Sequence, residues 1–488
     1  MLVGELVANA KRALLVFTCT HRHPFAKPKG LVVDDRGAVL SYTYLVTDTA
    51  GAQAVGSPWP RQRSVLVVLI GALILVCPAL YNGYPLLYSD TATYLSSGFE
   101  LETPFDRPIT YGLFVRAASL NGLTLWGVVL AQSAALAYVV MLLLRWLRAR
   151  MAWAWHVALL ALLTATTSIG WVSSQLMPDV FTPILALCLL LLACGKLARG
   201  HRATVAVLFL FSCATHLSHL SFSFALIGAL VLLRYLGPRS LRGGIAIRPL
   251  LFAALLAALS ILTMGSALSK SKSVFFMGAM AEHGILKAYL DEHCPGDERL
   301  CALKDALPER AYAFIWDADG PVQKLGGFAA VNDEFADIIR HTLTEPKYIG
   351  MHIAASVRAT GEQLLLFQVG DGWGAFGADT PVAQRIAQYV PGDAMQCTTS
   401  RQQEQRLAAL PIVNAFCTVC VFAACALLAW SMFRAPPTTA VVVATLLAAV
   451  LINAWACGTF ANAIDRLGAK MIWLIPLCVV LVLRSARR

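Results

Sequence analysis

The chain has 488 residues, of which 58% are hydrophobic and only 14% are charged, and its mean hydropathy is +0.65. Soluble proteins carry roughly a quarter charged residues, so this composition excludes an ordinary soluble protein and predicts a polytopic membrane protein. The net charge of +11 indicates a nucleic-acid partner only if membrane orientation does not account for the basic residues.

Residues 1–60 have mixed polarity. They contain no long apolar run and no small-residue cleavage site, so they do not resemble a secretory signal. We interpret this segment either as an unstructured cytoplasmic arm or as the result of an early start codon.

Ten apolar segments follow, each long enough, or nearly so, to cross a hydrocarbon core of about 30 Å. They lie near 64–80, 123–144, 155–173, 180–197, 203–217, 221–236, 248–268, 410–431, 438–456 and 470–484. The shortest, next to His216 and His219, also fits a broken or re-entrant pair. The predicted fold is an all-α polytopic membrane protein with about ten transmembrane helices, seven of them in 61–269 and three in 409–488.

The charges predict the orientation of these helices. If the N-terminus is cytoplasmic, the connections on that side carry many Arg and Lys residues and no acid. Outside the region 270–408, the acids after residue 60 all fall on the opposite face: Asp90, Glu100, Glu102, Asp106, Asp179 and Asp465. Because cytoplasmic loops are enriched in Lys and Arg, both termini are predicted to be cytoplasmic, and no nucleic-acid partner is needed to explain the positive charge.

The long region 270–408 lies between the seventh and eighth predicted helices, on the exoplasmic side. It holds 18 Asp and Glu residues against 13 Lys and Arg residues, a net charge of −5. Helix-like stretches at 281–290 and 349–368 alternate with turn-rich pieces, which is typical of a small α-rich domain. Six residues lie between Cys294 and Cys301, a spacing that allows a local disulfide on the oxidising exoplasmic side.

The first exoplasmic loop, at 81–122, is rich in tyrosines and charged residues and is predicted to fold as short helices. One interpretation is an interfacial aromatic belt. The other is a catalytic site, in which Asp90, with Asp106 as the second candidate, serves as a general base. Arg107 would then hold a phosphate through its planar fork of donors, and Tyr88 and Tyr111 would contact the substrate.

Further polar residues are predicted at the same membrane face. They are Asp179, His216, His219, Lys270, Lys272, Asp465, Arg466 and Lys470, and we count them, apart from Lys470, as candidate substrate-binding residues. Asp179 equally suits a helix cap, and the lysines equally suit ordinary interfacial charge. The two histidines form an HxxH without a third nearby ligand, so no zinc site is predicted, although a divalent metal remains open.

With an early acid in its first exoplasmic loop (YSDTATYL, Asp90), a polytopic bundle and an exoplasmic insert, the chain resembles the GT-C superfamily of integral membrane glycosyltransferases over roughly 61–488. The resemblance implies a polyprenyl-phosphate sugar as donor, an exoplasmic glycan, lipid or protein as acceptor, and the bacterial inner membrane as location. It also implies that Asp90 is the general base. The first loop lacks an adjacent pair of acids and a DxD, so the resemblance does not extend to a metal site.

Other classes of membrane protein remain as alternatives. A transporter or flippase would place ionisable residues near the middle of the bilayer and show paired repeats, whereas the middles of these segments are nearly free of charge. A membrane acyltransferase or a polysaccharide polymerase would share the polar exoplasmic face, and the HxxH keeps acyl transfer in consideration.

Overall fold

The computed structural model describes residues 61–147, 153–264, 272–296 and 299–485, and within 1–60 only two short strands. The chain divides into two units, 1–56 and 57–488. In the first unit, Val32–Val33 pairs with Val39–Leu40 in antiparallel fashion, with Val32 opposite Leu40. The rest of the predicted N-terminal arm lies outside the described residues.

The second unit is built from helices. Those of its first half are α1 Arg61–Leu75, α2 Cys77–Asn82, α3 Thr91–Glu100, α4 Thr110–Ala118, α5 Trp126–Leu147, α6 Trp153–Thr166, α7 Ile169–Ser173, α8 Phe181–Cys194, α9 Arg199–Ala214, α10 Leu217–Leu236, α11 Arg239–Arg242 and α12 Ile247–Leu259. Those of its second half are α13 Lys272–Glu282, α14 Ile285–His293, α15 Ala311–Trp316, α16 Pro321–Lys324, α17 Phe328–Thr342, α18 Pro346–Leu365, α19 Pro381–Tyr389, α20 Ala394–Thr398, α21 Leu410–Ser431, α22 Pro437–Phe460, α23 Asp465–Ile472 and α24 Leu474–Ser485. Short 3₁₀ turns occupy Pro178–Val180, Ser260–Thr263, Arg299–Ala306, Pro391–Asp393 and Met432–Arg434.

Among the described residues, five helical segments are long and apolar enough to cross a membrane. They are Trp126–Leu147, Leu217–Leu236, Leu410–Arg434, Pro437–Phe460 and Asp465–Ser485. Shorter apolar helices lie at Gln62–Leu75, Trp153–Thr166, Pro178–Cys194 and Ile247–Thr263. Each of the ten predicted apolar segments overlaps a helix, and five of them reach spanning length.

Two hydrophobic cores organise this unit. The larger core joins the long apolar helices and also takes in Phe367, Val382 and Cys397 from the second half of the predicted insert. The smaller core is formed by side chains between Val274 and Tyr348. The Cys294–Cys301 disulfide, which the spacing allows, is formed beside the smaller core.

Candidate functional site

The first loop is attached to the segment that precedes α8. Leu86 forms a parallel bridge with Gln175, made by two backbone hydrogen bonds of 2.9 Å. The side chain of Gln132, on α5, donates to the Gln175 carbonyl at 2.7 Å. Asp90 lies four residues after Leu86, and Asp179 lies four residues after Gln175. The bridge therefore brings these two acids into one region.

Two short helices of the first loop bring Asp90 and Arg107 together. α3 begins directly after Asp90, and α4 begins three residues after Arg107. The helices meet at Gly98 and Gly112, where a Cβ atom on Gly98 would lie 2.1 Å from the Gly112 carbonyl oxygen. Only glycine fits this crossing, so these two glycines allow the loop to fold back on itself. Arg107 Nη1 then lies 3.2 Å from Asp90 Oδ1.

Asp106 orients the guanidinium of Arg107. Its Oδ2 accepts hydrogen bonds from Arg107 Nε at 3.0 Å and Nη2 at 2.5 Å. Burial alone would lower the pKa of Arg107, but the neighbouring acids, Asp90 foremost, outweigh burial and the pKa is well above its ordinary value. The side chain of Asp106 is only 5% exposed and that of Asp90 28%. Asp90 is therefore the more accessible of the two acids, whereas Asp106 is buried against Arg107.

Arg466 reaches the same region from the other end of the chain. It lies in the first turn of α23, and its Nη1 is 3.7 Å from Asp90 Oδ2 and 3.8 Å from Asp179 Oδ2. Its guanidinium carbon lies 4.2 Å from the centre of the Tyr88 ring. Both ionic contacts are longer than a hydrogen bond, so Arg466 attracts two carboxylates without being hydrogen-bonded to either.

A buried ion pair completes this group of charges. Lys470 Nζ lies 3.4 Å from Asp179 Oδ1, and the two side chains are 3% and 6% exposed. We call these side chains, together with the two arginines and the two first-loop acids, the charged cluster: Asp90, Asp106, Arg107, Asp179, Arg466 and Lys470. Three carboxylates balance three cations, which offsets the large cost of burying any one of these charges alone.

The two histidines lie close to the charged cluster but are engaged by local hydrogen bonds. His219 Nδ1 lies 2.7 Å from the Ser212 carbonyl oxygen and Nε2 lies 2.8 Å from Thr182 Oγ1. Because a carbonyl oxygen only accepts, Nδ1 carries the proton and Nε2 accepts from the threonine. His216 Nδ1 accepts the Ser218 N–H at 3.2 Å and so caps α10. Both ring nitrogens of His219 are therefore hydrogen-bonded within the protein.

Three predicted site residues that the structure describes, Tyr111, Asp465 and Lys272, are either engaged by other partners or exposed. Tyr111 is fully buried, and its hydroxyl donates to Gln132 Oε1 at 3.1 Å, which gives it a packing role. Asp465 Oδ1 accepts the backbone N–H of Gln368, in the segment between α18 and α19, at 2.8 Å. Lys272 is exposed in the first turn of α13. Lys270 lies outside the described residues.

The segment 370–373 contributes residues that the sequence reasoning missed. Asp371 Oδ2 accepts the backbone N–H of Arg466 at 3.3 Å. Gly372 has φ +74°, and a Cβ atom there would lie 2.0 Å from the Tyr88 ring. The close approach requires glycine, so this segment packs directly against Tyr88. The glycine-rich run GDGWG at 370–374, one of the turn-rich pieces of the region 270–408, is the sequence signal for this close approach.

Tyr88 contributes a neutral hydroxyl next to these charges. Burial raises its pKa above the ordinary value; Asp90, Asp371 and Asp179 raise it further, and Arg466 opposes them. The phenol is therefore protonated at neutral pH. It offers a hydrogen-bond donor beside Asp90.

Several polar atoms of the charged cluster lack a hydrogen-bond partner within the described part of the chain. They are Arg107 Nη1, Arg466 Nε, Arg466 Nη1 and Asp179 Oδ2. A buried polar group left without a hydrogen bond costs about 1–3 kcal/mol, and a charged one costs more. The two Nη1 atoms flank the two carboxylate oxygens of Asp90. Guanidinium nitrogens that contact a carboxylate without a hydrogen bond keep donor capacity for an anionic group.

Comparison with known protein families, curated proteins and solved structures finds no match to this chain.

Proposed function

We propose that this protein is a membrane glycosyltransferase that moves a sugar from a polyprenyl-phosphate donor to an exoplasmic acceptor. The observation that carries the proposal is the placement of Asp90, the most exposed acid of the charged cluster, between the guanidiniums of Arg107 and Arg466. Some of the guanidinium nitrogens lack hydrogen-bond partners. The proposed general base, Asp90, therefore lies beside the two arginines proposed to bind the phosphate.

In this mechanism Asp90 accepts the proton of the acceptor hydroxyl. The hydroxyl oxygen forms a bond to the anomeric carbon of the sugar while the bond from that carbon to the phosphate oxygen breaks. The transition state has oxocarbenium character, as in other glycosyl transfers. The lipid phosphate leaves with the electron pair of the broken bond, so it needs fixed positive charge rather than a proton.

Arg107 and Arg466 supply that charge in different ways. Asp106 holds Arg107 by two hydrogen bonds, so its Nη1, which is ion-paired with Asp90 but makes no hydrogen bond to the described residues, is pre-oriented for a phosphate oxygen. Arg466 is held only by ionic contacts of 3.7 and 3.8 Å, so its shift toward a phosphate breaks no hydrogen bond. That shift leaves Asp90 with less cationic stabilisation, which makes it a stronger base.

We propose ten membrane crossings, with both termini in the cytoplasm of a bacterial cell and the catalytic loop outside. Asp90, Asp179, Asp371 and Arg466 are assigned to one face by the charge pattern, although they come from four distant segments. Their direct contacts support a common face. The region 270–408 would lie on that face as well, as the exoplasmic insert.

The experiment is turnover of radiolabelled polyprenyl-phosphate sugars by the purified protein in lipid nanodiscs, with release of free polyprenyl phosphate as the readout. Arg466→Ala is expected to lose turnover, whereas Glu102→Gln is the matched control, because Glu102 is an exposed acid of the same loop. Failure to consume any of a panel of hexose and pentose donors, or equal consumption by Arg466→Ala, would reject the proposal.

A transporter is the second candidate, favoured by one observation. Asp179 and Lys470 form an almost fully buried ion pair at the ends of apolar helices, and such intramembrane pairs occur in ion and substrate pathways. Solute uptake into proteoliposomes that depends on Lys470, together with an absence of sugar transfer, would replace the enzyme with a transporter.

A further inference from the structure

A second group of polar side chains lies in the smaller core region. His293 ends α14, His341 lies in the last turn of α17, and Glu345 directly precedes α18. One ligand atom from each residue lies within 4.8 Å of the others. Two imidazoles from the ends of two helices and a carboxylate from the residue before a third helix thus converge at one point.

Hydrogen bonding prepares His293 for a metal ion. Its Nδ1 lies 2.9 Å from the carbonyl oxygen of Tyr289, and because a carbonyl oxygen only accepts, Nδ1 carries the proton. The lone pair is therefore on Nε2. Fixing the tautomer by such a bond is the usual arrangement around metal-bound histidines. His293 also stacks on the Tyr289 ring at 4.1 Å between centroids, which sets the ring plane.

The other two ligands already contact each other. His341 Nε2 is hydrogen-bonded to Glu345 Oε1, and the rings of His293 and His341 are 5.0 Å apart. A divalent metal takes the place of the proton between His341 and Glu345. The side chains of His341 and Glu345 are 39% and 44% exposed, so an ion and a coordinating water reach the site from solvent.

The backbone around these ligands is braced on both sides. Cys294, next to His293, is bonded to Cys301. Glu292 accepts a hydrogen bond from Tyr348 at 2.8 Å and forms an ion pair with Lys347. Ligands on a rigid frame lose little conformational entropy when they bind an ion.

We propose that His293, His341 and Glu345 form a binding site for a divalent transition metal, zinc in particular. Two histidines, one carboxylate and an open fourth position form a ligand set that zinc uses. Calcium and magnesium prefer all-oxygen sites, so this set discriminates against them. The metal joins α14, α17 and α18 across the smaller core, and it is separate from the charged cluster around Asp90.

The test is a zinc titration of the full-length protein in detergent after treatment with a chelator, with calcium and magnesium in parallel. The wild-type protein is expected to bind one more zinc ion than the double variant His293→Ala/His341→Ala and to melt at a higher temperature with zinc. Glu345→Gln is expected to weaken zinc binding by about tenfold or more. Substituting a residue that only supports a metal ligand already lowers affinity by about 10- to 100-fold, and Glu345 is proposed to bind the metal itself.

His352→Ala is the matched control, since this histidine lies on α18 outside the three-ligand group and bonds to the side chain of Thr342. It is expected to keep the zinc affinity of the wild-type protein. Size-exclusion elution and the intact Cys294–Cys301 bridge establish that each variant is folded. Equal zinc binding by the wild-type protein and the double variant, or no zinc binding by the wild-type protein, would overturn the proposed site.

Discussion

Replacing Asp90 with Asn separates the proposed chemistry from folding. Asparagine has nearly the same shape and still forms hydrogen bonds, but it does not accept a proton from a hydroxyl group at neutral pH. Asp90 caps no helix through its side chain, and its two ionic partners, Arg107 and Arg466, keep Asp106 and Asp179 respectively. The substitution therefore leaves neither guanidinium without an acid.

The expected magnitudes differ enough to distinguish the two effects. An ion pair with a partly exposed member contributes roughly 0–1 kcal/mol to stability, so the free energy of unfolding is expected to fall by about 1 kcal/mol or less. Loss of a general base typically slows catalysis by about 100- to 10,000-fold, which corresponds to roughly 3–5 kcal/mol in the activation barrier. A large loss of rate should thus accompany an almost unchanged melting temperature.

The assay measures kcat and KM for the donor with wild-type, Asp90→Asn and Glu102→Gln proteins in nanodiscs. Asp90→Asn is expected to lower kcat without raising KM, because removing a negative charge beside Arg107 and Arg466 does not weaken their hold on a phosphate. A wild-type kcat in Asp90→Asn would show that Asp90 is not the base. A raised KM with unchanged kcat would assign it to binding instead.

Further expectations concern binding, stability and topology. Arg107→Lys should raise the donor KM and leave the melting temperature nearly unchanged, since lysine keeps the charge but loses the planar fork; an unaltered KM would count against phosphate binding there. Asp179→Asn should destabilise the protein by about 3–5 kcal/mol by leaving buried Lys470 unpaired, and adding Lys470→Met should restore much of the melting temperature. Gly372→Ala should lower the melting temperature, because φ is +74° and the new Cβ would lie 2.0 Å from the Tyr88 ring. Reporter fusions at residues 340 and 434 should report opposite sides of the membrane, and the same side for both would refute the topology.

Local properties of the sequence predicted the helices and suggested which charged residues lie together. Apolar length is a property of a single segment, so each of the ten apolar segments was identified correctly as helical. The charge pattern also placed Asp90, Arg107, Asp179 and Arg466 at a common depth, and the structure brings these four side chains into contact.

Side-chain direction and partner choice depended on the tertiary structure. Tyr111 and Asp465 were expected at the same face as Asp90, yet the hydroxyl of Tyr111 bonds to Gln132 and the carboxylate of Asp465 to a backbone N–H. The pairing of Lys470 with Asp179 joins residues 291 positions apart in sequence. No local pattern encodes such a contact, because a helix presents residues to all sides and only its packing against other helices decides which side faces the site.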